Sequence, residues 1–221
     1  LDGIRKSMSA ADFSAQYLQA PVPVGGGGID LSLFKRYKKL PGPVEFSFVS
    51  IDPATGSETG DFAVLQFWKV VDGQLFLDGQ LRGRYSIQRQ TEFATKIWKQ
   101  HGAKYIVIER GPLGEVLFGQ IKDAIGTENS YELLQGWTPK GTKEVRLANA
   151  SSLIEQGKVW LPETKPWIDG FISELQAFPA GSYDDQVDAM TQAIGFYQLY
   201  LRSRLKVSVT MIPRGRHRTT I

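Results

Sequence analysis

The densest chemistry in the sequence lies near its end, at Tyr183-Asp184-Asp185-Gln186-Val187-Asp188-Ala189. Three carboxylates fall within five positions, and Val187, Met190, Ile194, Tyr197 and Leu201 follow at steps of three and four. That spacing is the apolar stripe of a packed helix. The acids stand in its first turns, where Asp184 and Asp185 each share a face with Asp188. Ser182 to Asp185 also fits a Ser-x-x-Asp capping pattern, and acids in a first turn suit the positive end of the helix dipole. A cap accounts for one or two acids, not for three beside an apolar face. Two further acids, Asp52 and Glu109, end apolar runs that read as strands.

Carboxylates that converge repel one another unless cations bridge them. Hard oxygen donors without Cys or His partners suit Mg²⁺ or Mn²⁺. Two such ions about 3.5–4 Å apart clamp the attacking and leaving oxygens of a phosphodiester in line. The chain has no cysteine, which excludes disulfides and thiolate metal sites, and His101 and His217 share no ligand spacing. No Ser-His-Asp or Cys-His constellation competes. Metal-assisted phosphodiester hydrolysis is the chemistry these residue types favour.

The elements that must position these acids can be read in order. With 221 residues, 42% of them apolar, and five Trp, the chain is globular and long enough for one large domain with an appendage. Residues 1–20 read as a short helical piece packing Met8, Phe13, Tyr17 and Leu18, and 21–28 as a Pro/Gly linker. Residues 30–41 read as a bridging helical turn ended by Pro41-Gly42-Pro43. The main domain is expected over 44–205. It opens with strands over 44–51, 61–71 and 74–81, the last two joined by an Asp72-Gly73 hairpin. A helix over 86–102 packs Ile87, Ala94, Ile97 and Trp98, and the apolar run 104–108 reads as a buried strand. A helix through Leu117, Phe118 and Ile121 follows, then a strand over 131–137 and a helix over 142–156. An extended piece over 158–162 and a helix over 166–178 precede the acidic helix. The pattern predicts an α/β domain with a mixed central sheet.

The net charge of +3 matters less than its placement. Arg202, Arg204, Lys206, Arg214, Arg216 and Arg218 follow one another with no acid between them, and 206–221 reads as a basic tail. Such a tail beside an acidic site suits a polyanionic partner, with a merely solvated tail as the plainer reading. No signal peptide and no membrane-spanning run is visible, so a cytoplasmic location is expected. The chain opens on Leu1, and it is expected to be part of a longer polypeptide.

Beyond these readings, a series of blocks resembles the nuclease domain of phage large terminase subunits, which has an RNase H-like fold. The blocks are Ser50-Ile-Asp-Pro-Ala54 with Gly60-Asp-Phe62, Ile106-Val-Ile-Glu109, Lys143-x-x-Arg146, and Gly157-Lys-Val-Trp-Leu-Pro162. Pro166-Trp167, Glu174-Leu-x-x-Phe-Pro179 and Tyr183-Asp-Asp-Gln-Val-Asp-Ala189 complete the series, with Tyr183 where the family often has His. The resemblance implies that Asp52, Glu109 and Asp185 are catalytic metal ligands. Asp184 would share that role, with Asp188 as a supporting position and Asp61 a turn acid. It implies that Lys143 and Arg146 hold DNA phosphates, joined by Arg214, Arg216 and Arg218 of the tail. Phe13 to Pro21 is similar to the end of the terminase ATPase region, although no phosphate-binding loop is present. The implied partners are double-stranded DNA, the ATPase region, the small terminase subunit and the portal protein, at the procapsid in the host cytoplasm. Two alternatives stay open: another RNase H-like nuclease of resolvase or transposase type, and a non-catalytic DNA-clamping module.

Overall fold

The Asp72-Gly73 turn sets the register of the sheet. Both residues take positive φ, 48° and 64°, the combination whose twist matches two paired strands. It joins β3 (Ala63–Val71) to β4 (Gln74–Gly83), and β2 (Phe46–Asp52) pairs antiparallel along the other edge of β3. The computed structural model describes residues 29–210. Within them β5 (Tyr105–Glu109), β6 (Leu134–Trp137), β7 (Val159–Pro162) and β1 (Lys35–Tyr37) complete a seven-stranded sheet of order β1-β7-β4-β3-β2-β5-β6.

Only β3 runs against the rest. The β2–β5, β5–β6, β4–β7 and β1–β7 pairs are all parallel, so the carboxyl ends of six strands gather at one edge. Asp52 and Glu109 both stand there, on neighbouring strands.

Side-chain alternation then decides which face each acid meets. Val49 and Ile51 of β2 pack with Ile106 and Ile108 of β5 against α1 (Ile87–His101) and α2 (Pro112–Ile125), with Leu133 of α3 (Thr127–Leu133) in the same cluster. Phe46 and Phe48 join Trp68, Leu77 and Val107 on the other face. There they meet α4 (Lys143–Glu155), α5 (Ile168–Ala177) and α6 (Asp185–Thr210). Asp52 and Glu109 lie two residues beyond Ser50 and Val107, so both face the α6 layer. Val187, Met190, Ile194 and Tyr197 of α6 are fully or almost fully buried, as the stripe predicted. Each such side chain contributes about 1.5–3 kcal/mol on burial.

Two segments depart from the expected elements. Over 30–41, only Leu31–Leu33 makes a 3-10 turn, and Lys35–Tyr37 is a strand rather than helix. Tertiary contacts decide this: the Tyr37 ring meets Phe76 edge-on, and its hydroxyl donates to the Leu77 carbonyl at 2.9 Å. The expected strand over 131–137 begins only at Leu134, because Thr127–Leu133 is α3. Asn129 stabilises that helix's start, its side-chain amide donating to the Ile125 carbonyl at 2.8 Å. The extended piece at 158–162 is a full member of the sheet. The helical piece and linker expected over 1–28 lie outside the described residues, as do Arg214, Arg216 and Arg218. Among the described residues no helix is long and apolar enough to cross a membrane.

Candidate active site

A helix can deliver an acid to a strand end only if its axial position is fixed, and polar anchors fix α6. Gln192 Nε2 lies 2.9 Å from Ser50 Oγ, 3.1 Å from the Ile51 carbonyl and 3.2 Å from the Val107 carbonyl. Ser50 Oγ donates in turn to the Ala189 carbonyl at 2.9 Å. These bonds tie the helix to the last residues of β2 and β5, directly behind Asp52 and Glu109. Gly114 completes the alignment from the other face, since a Cβ there would run into the Glu109 carbonyl.

The first turn of α6 has its own clamp. The Asp188 N–H donates to the Asp184 carbonyl at 2.9 Å, which makes Asp184 the cap residue. Glu174 of α5, itself buried, accepts the Gln186 N–H at 2.6 Å and the Gln186 side-chain amide at 2.5 Å. Gln80 Nε2 donates to Gln186 Oε1 at 2.6 Å, and Gln66 Nε2 reaches Gln80 Oε1 and the Gln186 carbonyl at 2.9 and 3.0 Å. A chain of satisfied polar groups thus runs from the sheet to the residue next to Asp185. Buried networks of this kind specify position because any shift leaves a donor or acceptor unpaired.

Asp52, Asp61, Glu109, Asp184, Asp185 and Asp188 line one cleft of about 440 Å³, with Lys143 and Arg146 on its α4 side. Asp185 and Asp188 are 7% and 8% exposed. Burial pushes the Asp52 carboxyl well above the ordinary carboxylate range, and the charges of Glu109, Asp188 and Asp185 push it further. Glu109 is raised mainly by burial, with Arg146 opposing and Asp188 adding to it. Asp185 is pushed up to about 6 by burial and by Glu174, against the pull of Arg82.

The carboxylates at the start of α6 divide into two groups. Lys143 Nζ contacts Asp184 at 2.7 Å and Asp188 at 3.1 Å, and Arg146 contacts Asp188 at 2.5 Å. Burial works against the Lys143 ammonium, but its bonds to Asp184 and Asp188 outweigh that and raise its pKa. Asp185 differs: its Oδ2 is buried without a hydrogen-bond partner, the nearest cation being Arg82 at 3.8 Å. Lys143 and Arg146, expected to hold phosphates, therefore stand beside the acids and partly neutralise them. Glu174, Arg82, Gln186 and Gln192 also belong to the site. Glu174 and Gln186 lie inside quoted sequence blocks, but nothing in the sequence distinguishes a clamping glutamate from a solvated one.

The donor set fits a hard divalent cation. It is all oxygen, it is rich in charge, and it offers one buried oxygen with no partner. Yet among the described residues no three acidic or histidine side chains converge tightly enough to form a ready metal-binding group.

The profile of the family described as "Terminase RNaseH-like domain" matches residues 49–195, from the middle of β2 to the middle of α6. The chain belongs to that family. Its mixed seven-stranded sheet flanked by helices is the terminase RNase H-like fold. Solved structures agree on the fold. The full large terminase of a thermophilic bacteriophage superposes with a TM-score of 0.62 at 13% identity, over 88% of this chain and 51% of that one. The chain therefore spans about half the length of that protein. The large terminase nuclease of thermophilic phage G20c with bound cobalt gives 0.57 at 16% identity, over 75% and 94%. The Thermus phage P74-26 large terminase nuclease domain gives 0.51 at 16%, over 74% and 90%. No curated protein matches the sequence.

Proposed function

We propose that this terminase-family chain is the metal-dependent endonuclease domain of a phage or prophage large terminase subunit, cutting concatemeric double-stranded DNA during genome packaging. One observation carries the reading. Asp52, Glu109 and Asp185 come from two adjacent strands and a helix start to line a single cleft, with their carboxyls raised by burial. The solved G20c terminase nucleases with bound cobalt, magnesium and zinc support divalent-metal use by relatives of this fold.

On this reading Asp52, Glu109 and Asp185 hold Mg²⁺ or Mn²⁺, with Asp184 adjacent and Asp188 in support. Two ions, when bound, supply Lewis-acid activation of water and charge neutralisation at the phosphodiester. The chain's residues then do the remaining work. Lys143 and Arg146 exchange Asp184 and Asp188 for substrate phosphates, and Arg214, Arg216 and Arg218 add phosphate contacts. Glu174 and Gln186 keep Asp185 in place. The small terminase subunit and the portal protein are the proposed partners of the assembled machine.

A second reading has its own support. Lys143 and Arg146 already occupy Asp184 and Asp188, as in a DNA-clamping module that does no chemistry. Nicking of supercoiled plasmid separates the two. The wild type is expected to nick with Mg²⁺ or Mn²⁺ and not with EDTA, and Asp52→Asn is expected to abolish it, since a neutral amide binds hard dications poorly. DNA binding without nicking under any divalent metal would establish the clamp instead.

A further inference from the structure

Two guanidinium groups hold to one ring at the edge of the cleft. Arg82 lies 3.8 Å and Arg84 4.2 Å from the Phe62 centroid, and the Tyr183 ring meets Phe62 edge-on at 5.0 Å. Arg84 is fixed a second time, its Nε donating to the Gly60 carbonyl at 3.0 Å. The two arginines differ in what balances their charge. Arg82 faces Glu174 at 3.4 Å and Asp185 at 3.8 Å. Arg84 is exposed, and among the described residues no carboxylate lies within ion-pair distance of it. The other cations bordering the acids are paired: Lys143 and Arg146 with Asp184 and Asp188, and Arg110 with Glu115.

Register gives the distance from the acids. Asp52, Val64 and Arg82 are direct partners across β2, β3 and β4, which sets the Arg82 backbone about two strand spacings, roughly 10 Å, from Asp52. Arg84 stands just past the end of β4, and both its contacts, Gly60 and Phe62, line the acidic cleft. With Nε taken by Gly60 and one face resting on Phe62, the two Nη groups remain as an ordered fork. Such a fork matches the two oxygens of a phosphate, and stacking lowers the entropy lost on binding. A polyanion approaching a row of acids also needs cations at its margin.

We infer that Arg84, seated on Phe62, is a phosphate-binding residue for the DNA strand that enters the cleft, on the side opposite Lys143 and Arg146. The inference rests on the nuclease reading above, and its test separates the two. Binding of the chain to a labelled 30-base-pair duplex is measured by fluorescence anisotropy in EDTA at several salt concentrations, alongside plasmid nicking. Arg84→Gln is expected to lower the slope of log K against log salt by about 0.9, the value for one phosphate contact. Lys99→Gln makes the same charge change at the far end of α1 and is expected to leave the slope intact. Phe62→Leu keeps the charge but loses the seat, so affinity is expected to fall several-fold with the slope retained. Thermal melts confirm that each variant folds. An unchanged slope in Arg84→Gln, an equal loss in Lys99→Gln, or wild-type affinity in Phe62→Leu would overturn the inference while wild-type nicking stands. A wild type that neither nicks nor binds in a salt-dependent way would remove the nuclease reading, and the inference with it.

Discussion

A carboxyl group buried among other carboxyl groups keeps its proton longer than it does in the unfolded chain, and Asp185 keeps it up to a pKa of about 6. Its unfolded counterpart titrates near 3.9. Between those values the folded state binds a proton that the unfolded state has released, so stability falls as pH rises through the window. The full cost is present above pH 6 and absent below about pH 4. A shift of about two units corresponds to at most roughly 3 kcal/mol. Asp52, raised for the same reasons, adds to it in the same direction. In EDTA at pH 7.5, Asp185→Asn is expected to melt at or above the wild-type temperature, and the difference should shrink towards pH 4.5. Adding Mg²⁺ should stabilise the wild type more at pH 7.5 than at pH 4.5, because the ion binds the deprotonated form. A variant that melts well below wild type at pH 7.5 would mark Asp185 as a structural carboxylate.

At the scale of elements, the decisive feature is how α5, β3 and β4 hold the start of α6. Glu174 accepts two hydrogen bonds from Gln186, one of them from its backbone. Glu174→Gln sets an amide NH₂ against the Gln186 amide, leaving a buried donor unpaired at about 1–3 kcal/mol. Gln186→Glu alone sets two carboxylates face to face. Together the two substitutions exchange donor and acceptor, and the carboxylate introduced at position 186 still accepts from Gln80. The double variant is therefore expected to recover most of the stability and nicking that each single variant loses. A double variant as poor as the worse single would show that Glu174 acts through its charge on Arg82 and not through this clamp. None of this network could be read from the sequence. Periodicity reveals which residues share a helix face or alternate along a strand, which is why the hairpin, the buried strand ending in Glu109 and the stripe of α6 were legible. Glu174 and Gln186 find each other only when α5 and α6 pack. The same limit explains Lys35–Tyr37, a strand held by the Tyr37 bond to Leu77 rather than by its own pattern, and Thr127–Leu133, whose helix interrupts a run expected to be extended. Lys143 and Arg146 were legible as basic residues of a helix, but not as partners of Asp184 and Asp188.

The whole molecule gathers six strand ends, the start of α6 and the surrounding cations at one edge of a sheet, and among the described residues the opposite edge has no comparable chemistry. What this edge lacks is any device for choosing a sequence. None of the described helices is free of the core to enter a major groove, and the candidate contacts, Arg84, Lys143 and Arg146, are phosphate-type. The sequence also contains no phosphate-binding loop with its lysine. Nicking by this chain is therefore expected to be independent of ATP, poorly selective for sequence, and steeply reduced by salt, since its affinity comes from counterion release. Site choice and timing would then be imposed from outside, by partners that bring DNA to the cleft or withhold it. The measurement is cleavage of long linear DNA with and without ATP, across a range of salt. A smear of products that fades as salt rises, at the same rate with ATP, is the expected result. A single discrete product, or strong stimulation by ATP, would mean that the chain reads sequence or binds nucleotide through residues this cleft does not contain.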